Sequence, residues 1–151
     1  MLVTITAFSY KRGLPEDKTG NGGGFVFDCR AMPNPYWDES LRGYTGRGKC
    51  CQCVNVASCQ FQFPMEDTWL YRILAIGNIG TGNISTMAKL NTDRDHLQIA
   101  FGCTGGQHRS VYFAERMAER LAGTDGVAIE VAHAARQHWK VKTKEKCDGE
   151  C

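Results

Sequence analysis

The sequence predicts one α/β domain, a mainly parallel sheet flanked by helices, with a strand–loop–helix suited to phosphate near its C-terminal half. Three observations carry that expectation. Short runs of β-branched and apolar residues recur at 2–6, 25–30, 97–101 and 127–131. A glycine loop at 102–110 follows the third run directly. Val111, Ala114, Met117, Ala118 and Leu121 then recur at helical spacing up to Gly123, a residue suited to ending a helix.

The elements follow in order. Residues 2–6 form a strand, left through a loop over 8–15. A polar, glycine-rich turn over 17–24 leads to a second strand over 25–30, in which Phe25, Phe27 and Cys29 share a core-facing side. Pro33 and Pro35 stop that strand, because proline cannot continue a ladder. Residues 37–49 read as loop with one helical turn. Residues 50–93 lack a helical or strand period and hold Cys50, Cys51, Cys53 and Cys59. The grammar returns with Leu97, Ile99 and Phe101 on one strand face, then the loop, the helix and a strand carrying Val127, Ile129 and Val131. Strand–loop–helix–strand predicts a right-handed βαβ unit. The apolar residues of the helix belong to the core.

Bulk properties bound the function. The chain has 151 residues, enough for one buried core, with a net charge of +2 that by itself does not call for nucleic acid. No apolar run approaches the roughly 20 residues of a membrane span. The first residues lack a basic leader and apolar stretch, which points to the cytoplasm. In that setting the 8 cysteines read as thiols rather than disulfides. Cys50 and Cys53 with Cys147 and Cys151 offer four thiolates in principle, but their separation favours incidental thiols. No metal and no cofactor is expected.

The loop Gly102-Cys103-Thr104-Gly105-Gly106-Gln107-His108-Arg109-Ser110 carries the chemistry. Amides at a helix start lack intrahelical partners, and the helix dipole adds positive charge. Glycines let the backbone curl around an oxyanion; Arg109 adds a bidentate donor, and His108 and Ser110 add hydrogen bonds. Thr104 can cap the helix or touch the phosphate. A plain glycine turn is the bland alternative. A sharper one is catalytic: Cys103, Gly106, Arg109 and Ser110 match the C-x-x-G-x-x-R-[ST] pattern of cysteine-dependent phosphatases, whose thiolate attacks phosphorus. Against it, Gly102 stands where those enzymes usually carry histidine, and only Asp28 and Asp38 offer themselves as general acids. The reading adopted is a non-catalytic binding domain.

The C-terminal run holds Arg136, Lys140, Lys142, Lys144 and Lys146, with Trp139 among them. Such a run can neutralise RNA phosphates while Trp139 stacks a base. The bland reading is a solvated tail over 141–151.

Several strings together resemble one family. They are Phe8-Ser9-Tyr10-Lys11-Arg12-Gly13-Leu14-Pro15, Phe25-Val26-Phe27-Asp28-Cys29-Arg30, Pro33-Asn34-Pro35, Leu41-Arg42-Gly43-Tyr44-Thr45-Gly46 and the loop through Tyr112. In this order they resemble the C-terminal domain of the RNase adapter protein RapZ, over 1–49 and 94–140. The resemblance implies a domain over 1–140 that senses glucosamine-6-phosphate or binds a nucleotide, and presents small RNAs to an endoribonuclease without chemistry of its own. It implies that Thr104, Gly105, His108 and Arg109 line the ligand pocket, with Asp28, Arg30 and Asn34 nearby; Gly106, Gln107 and Ser110 belong to the candidate phosphate loop as read from the residues themselves. It also implies homo-oligomers. Full-length members add an N-terminal P-loop NTPase domain; G-x-x-x-x-G-K-[ST] does not occur here, so ATP hydrolysis is not implied. Tyr36 stands where the family often has histidine. Residues 50–93 depart from the family's amphipathic middle segment, as divergence or as a translated frameshift.

Overall fold

Strand β1, Leu2–Ser9, lies inside the sheet because its apolar residues are covered on both sides. The computed structural model describes residues 1–18, 20, 24–32, 34–47 and 95–141. Three further strands accompany β1: β2 at Phe25–Asp28, β3 at His96–Cys103 and β4 at Ala128–His133. They form a four-stranded sheet in the order β2-β3-β1-β4. Every pairing is parallel, with Ser9 opposite Cys103, Asp28 opposite Gly102 and Ala7 opposite His133. The carboxyl ends of all strands therefore meet at one edge. This is the α/β domain the sequence predicts.

Among the described residues one α-helix, α1, spans Arg109–Leu121 and packs on β1, β3 and β4. Its inward stripe places Val111, Ala114 and Met117 against Val3, Ile5, Ile99 and Phe101. Phe101 stacks between Phe27 and Phe113, at 5.3 and 6.1 Å between ring centroids. Burying each such side chain stabilises the fold by about 1.5–3 kcal/mol, and truncating Phe101 to alanine would cost about 3–5 kcal/mol. The helix ends as its sequence predicts. Gly123 adopts φ 83°, and Thr124 N–H donates to the Leu121 carbonyl at 3.0 Å. Cys29 is buried in the core, as its alternation with Phe25 and Phe27 implies.

Two local expectations need correction. β1 runs on to Ser9 instead of stopping at Thr6. β2 ends at Asp28, ahead of the prolines, because the Asp28 carboxylate accepts from the Arg30 N–H and opens a 3-10 turn over Cys29–Ala31. The strands flanking α1 are parallel, as a βαβ unit requires, with β1 between β3 and β4, so the crossover passes over it. The chain leaves β1 toward one side of the strand order and leaves β3 toward the other. In open α/β sheets, ligands bind outside the strand carboxyl ends at such a reversal.

Candidate functional site

The glycine loop leaves β3 at that edge and enters α1. Its shape follows from what each residue meets. A Cβ at Gly102 would lie 2.4 Å from the Phe8 ring and 2.5 Å from the Tyr10 ring. A histidine at this position is therefore excluded by packing. Gly106 adopts φ 69°, and a Cβ there would come within 2.7 Å of the Ala135 Cβ. At Gly105 a Cβ would meet nothing within 4 Å. Thr104 and Gly105 are exposed, whereas Gly106 through Ser110 are buried. The loop thus opens to solvent on its Thr104–Gly105 side and is packed on the other.

The buried side chains divide by task. The Gln107 amide donates to the Tyr44 carbonyl at 2.8 Å, and its oxygen accepts from Lys140 N–H at 3.0 Å. It ties two distant segments to the loop. His108 Nε2 lies 3.3 Å from the Leu41 carbonyl, and burial is the main cause that holds its imidazole below the ordinary histidine value. Thr104 does not cap α1; the N-cap is His108, and no side chain caps the helix. Asn34 Oδ1 accepts from Tyr36 N–H at 3.3 Å and so caps the 3-10 turn Pro35–Trp37. Tyr36 sits over this end of the site, its ring 6.4 Å from the His108 ring.

Arg109 is 6% exposed. Its Nη1 donates to the carbonyls of Arg30 and Met32 at 3.0 and 2.7 Å, and its buried Nε–H has no partner among the described residues. Its hydrogen bonds there go to neutral oxygens, with no carboxylate among them. The Asp28 carboxylate lies near enough to feel this charge, and a buried cation held only by neutral oxygens can be compensated further by an anion. Beside it, Arg30 forms a bidentate pair with Asp28, with a shortest contact of 2.6 Å, and stacks 3.9 Å over the Tyr10 ring. The Arg30 hydrogen bonds hold the Asp28 carboxyl below its usual range, and Arg109 adds to the effect.

Cys103 is 3% exposed. Its Sγ accepts from Gly106 N–H at 3.2 Å and lies 3.1 Å from Ser110 Oγ. The phosphatase alternative would use this sulfur, but it faces the core. The two aspartates available as its general acid are also unsuited. Hydrogen bonds from Ser40 keep Asp38 low, as Arg30 keeps Asp28 low, so both are ionised at neutral pH and hold no proton to give.

Of the basic run, Arg136 and Lys140 are exposed, and Lys142, Lys144 and Lys146 lie outside the described residues. So do Cys50, Cys51, Cys53, Cys59, Cys147 and Cys151. Trp139 is half-buried and docked on the glycine loop. Its indole N–H donates to the Gly106 carbonyl at 2.8 Å, and its ring lies 5.4 Å from that of His133. Sequence reasoning missed this docking, and also Ser9, whose hydroxyl donates to the Thr104 carbonyl at 2.7 Å. The only signal for Ser9 was its position where the first strand run gives way to the Tyr10 loop. No helix among the described residues is long and apolar enough to cross a membrane.

Comparison with known proteins agrees with this architecture. A family model described as the RapZ C-terminal domain matches residues 1–137, including the segment 50–93. A protein of Parafrankia sp. (strain EAN1pec), named as a nucleotide-binding protein, is 39% identical over 131 residues, covering 86% of this chain and 39% of its own. A protein of Ruegeria sp. (strain TM1040) with the same kind of name is 36% identical over 134 residues, covering 88% and 39%. Another, from Xanthomonas euvesicatoria pv. vesicatoria (strain 85-10), is 39% identical over 139 residues, covering 88% and 37%. The chain thus spans under two-fifths of the length of these curated relatives.

Proposed function

The chain belongs to the RapZ C-terminal domain family, and from that premise we propose that it is a non-catalytic module binding a phosphorylated small molecule. The ligand class is a phosphosugar such as glucosamine-6-phosphate, or a nucleotide. The phosphate lies against Thr104, Gly105 and the amides at the start of α1, with Arg109 as counter-charge. Asp28 and Arg30 stand at the rim, where the sugar or base would reach them.

One observation carries the reading. Arg109 is buried at the helix start, and among the described residues its Nε–H has no partner and its hydrogen bonds go to neutral oxygens. The uncapped helix end adds donors of the same sign. The names of the relatives support a phosphorylated ligand. They describe proteins more than twice as long as the matched part, so the nucleotide is carried over only as a proposal. A thermal-shift series tests the class: glucosamine-6-phosphate, nucleotides and inorganic phosphate against unphosphorylated glucosamine. The phosphorylated members should raise the melting temperature by mass action. Equal effects from glucosamine would remove the phosphate from the account.

The RNA-adapter role belongs to the same proposal. Exposed Arg136 and Lys140 begin the basic run, and Lys142 and Lys144 continue it in sequence. Affinity for a small RNA should fall steeply as salt rises, by counterion release. A complex indifferent to salt would exclude the run as its contact.

A further inference from the structure

Three carbonyls of the glycine loop are held from outside by donors from three separate segments. Ser9 Oγ, at the end of β1, donates to Thr104 O at 2.7 Å. Trp139 Nε1, beyond β4, donates to Gly106 O at 2.8 Å. Gly46 N–H donates to Gln107 O at 3.0 Å.

A trans peptide unit is planar, and its C=O and N–H point in opposite directions. None of the described peptide bonds is cis. Pinning a carbonyl therefore also aims the next N–H. Ser9 turns the Gly105 N–H away from β1. Trp139 turns the Gln107 N–H away from its indole. Gly46 turns the His108 N–H away from the 41–46 segment. The Gly106 N–H is the exception, turned inward onto Cys103 Sγ. Without these outside donors, Gly105 and Gly106 would leave the loop free to rotate its peptide planes, because glycine restrains its backbone least. Preorganised donors bind an anion better than donors that must first be ordered.

We infer that Ser9 and Trp139 are positioning residues for the phosphate loop: by holding the Thr104 and Gly106 carbonyls, they aim the Gly105 and Gln107 amides at the bound anion. Neither side chain touches the ligand. The inference rests on the proposed phosphate site. It gives Trp139 a task other than base stacking, and it makes the position of residue 139 dependent on ligand. By linkage, an anion that needs the aimed amides must also tighten the Trp139 contact.

The test uses the 151-residue chain with inorganic phosphate as probe. Calorimetry compares wild type, Trp139→Phe and Ser9→Ala, and the exchange rate of the Trp139 indole proton is read by NMR with and without phosphate. Each variant should bind phosphate about three- to tenfold more weakly, the range expected when one hydrogen bond is lost. Saturating phosphate should slow exchange of the Trp139 indole proton in the wild type. A role confined to packing would lower the ligand-free melting temperature and leave that exchange rate indifferent to phosphate. Wild-type affinity in both variants, or an exchange rate unmoved by phosphate, overturns the inference. If Trp139→Phe does not fold, Ser9→Ala and the exchange measurement decide. If the wild type binds no phosphate at all, the proposed site fails and the inference falls with it.

Discussion

Cys103 Sγ lies 3.1 Å from Ser110 Oγ, joining the last residue of β3 to the second residue of α1. The contact closes the base of the glycine loop from the core side, and the Gly106 N–H completes it. The same spacing that evokes a phosphatase here holds a buried sulfur at the base of the loop, and the non-catalytic reading proposed above takes the contact as a clasp. Wild-type protein should show no turnover of an aryl phosphate above buffer, and Cys103→Ser should not change that. Turnover abolished by Cys103→Ser would make the protein an enzyme.

Two adjacent glycines should behave in opposite ways. Gly106→Ala forces a side chain into φ 69° and against Ala135, so it should destabilise the fold by about 1–3 kcal/mol, read from urea unfolding. Gly105→Ala meets nothing within 4 Å and should leave stability within about 1 kcal/mol. It places a methyl group on the open side of the loop, so phosphate binding should weaken. Equal stability of the two variants would show that the loop's backbone differs from the one described.

His108 makes stability depend on pH in a definite direction. Burial is the main cause that keeps the folded-state imidazole below its ordinary 6.5, with the Leu41 carbonyl opposing. As pH falls below that value, the unfolded chain takes up a proton that the folded chain does not. The contribution is therefore complete above the unfolded pKa and is lost as pH falls toward the folded one. The urea midpoint should drop between about pH 7.5 and about pH 5.5, and His108→Gln should flatten that slope. An unchanged slope in the variant would place the proton uptake elsewhere.

Much of the fold was legible because it is local. The alternation of Leu97, Ile99 and Phe101 announces β3, and the spacing of Val111, Ala114 and Met117 announces α1. The loop between them was legible as a run of glycines and donors. Sheet order was not, because nothing in the α1 sequence says whether its crossover lands beside β3 or one strand further on. The end of β2 was hidden by a side-chain cap at Asp28 that competes with the ladder. The tasks of Gln107 and Trp139 were hidden for another reason. Their partners are backbone groups far along the chain, such as Tyr44 O for Gln107 and Gly106 O for Trp139, and backbone groups leave no residue-type signature. A tryptophan in a basic run suggests stacking on a base, and nothing in its residue type announces that its indole N–H docks on the Gly106 carbonyl.

The central claim is that the loop at 102–110 binds phosphate through the charge of Arg109. Its most direct test is a calorimetric titration of glucosamine-6-phosphate into wild type and Arg109→Met, with glucosamine as the control ligand. The account predicts saturable binding of the phosphosugar by wild type, little or none of glucosamine, and at least about a tenfold loss in the variant, as expected for a lost hydrogen bond to a charged group. Arg109→Met binding the phosphosugar as tightly as wild type would contradict it.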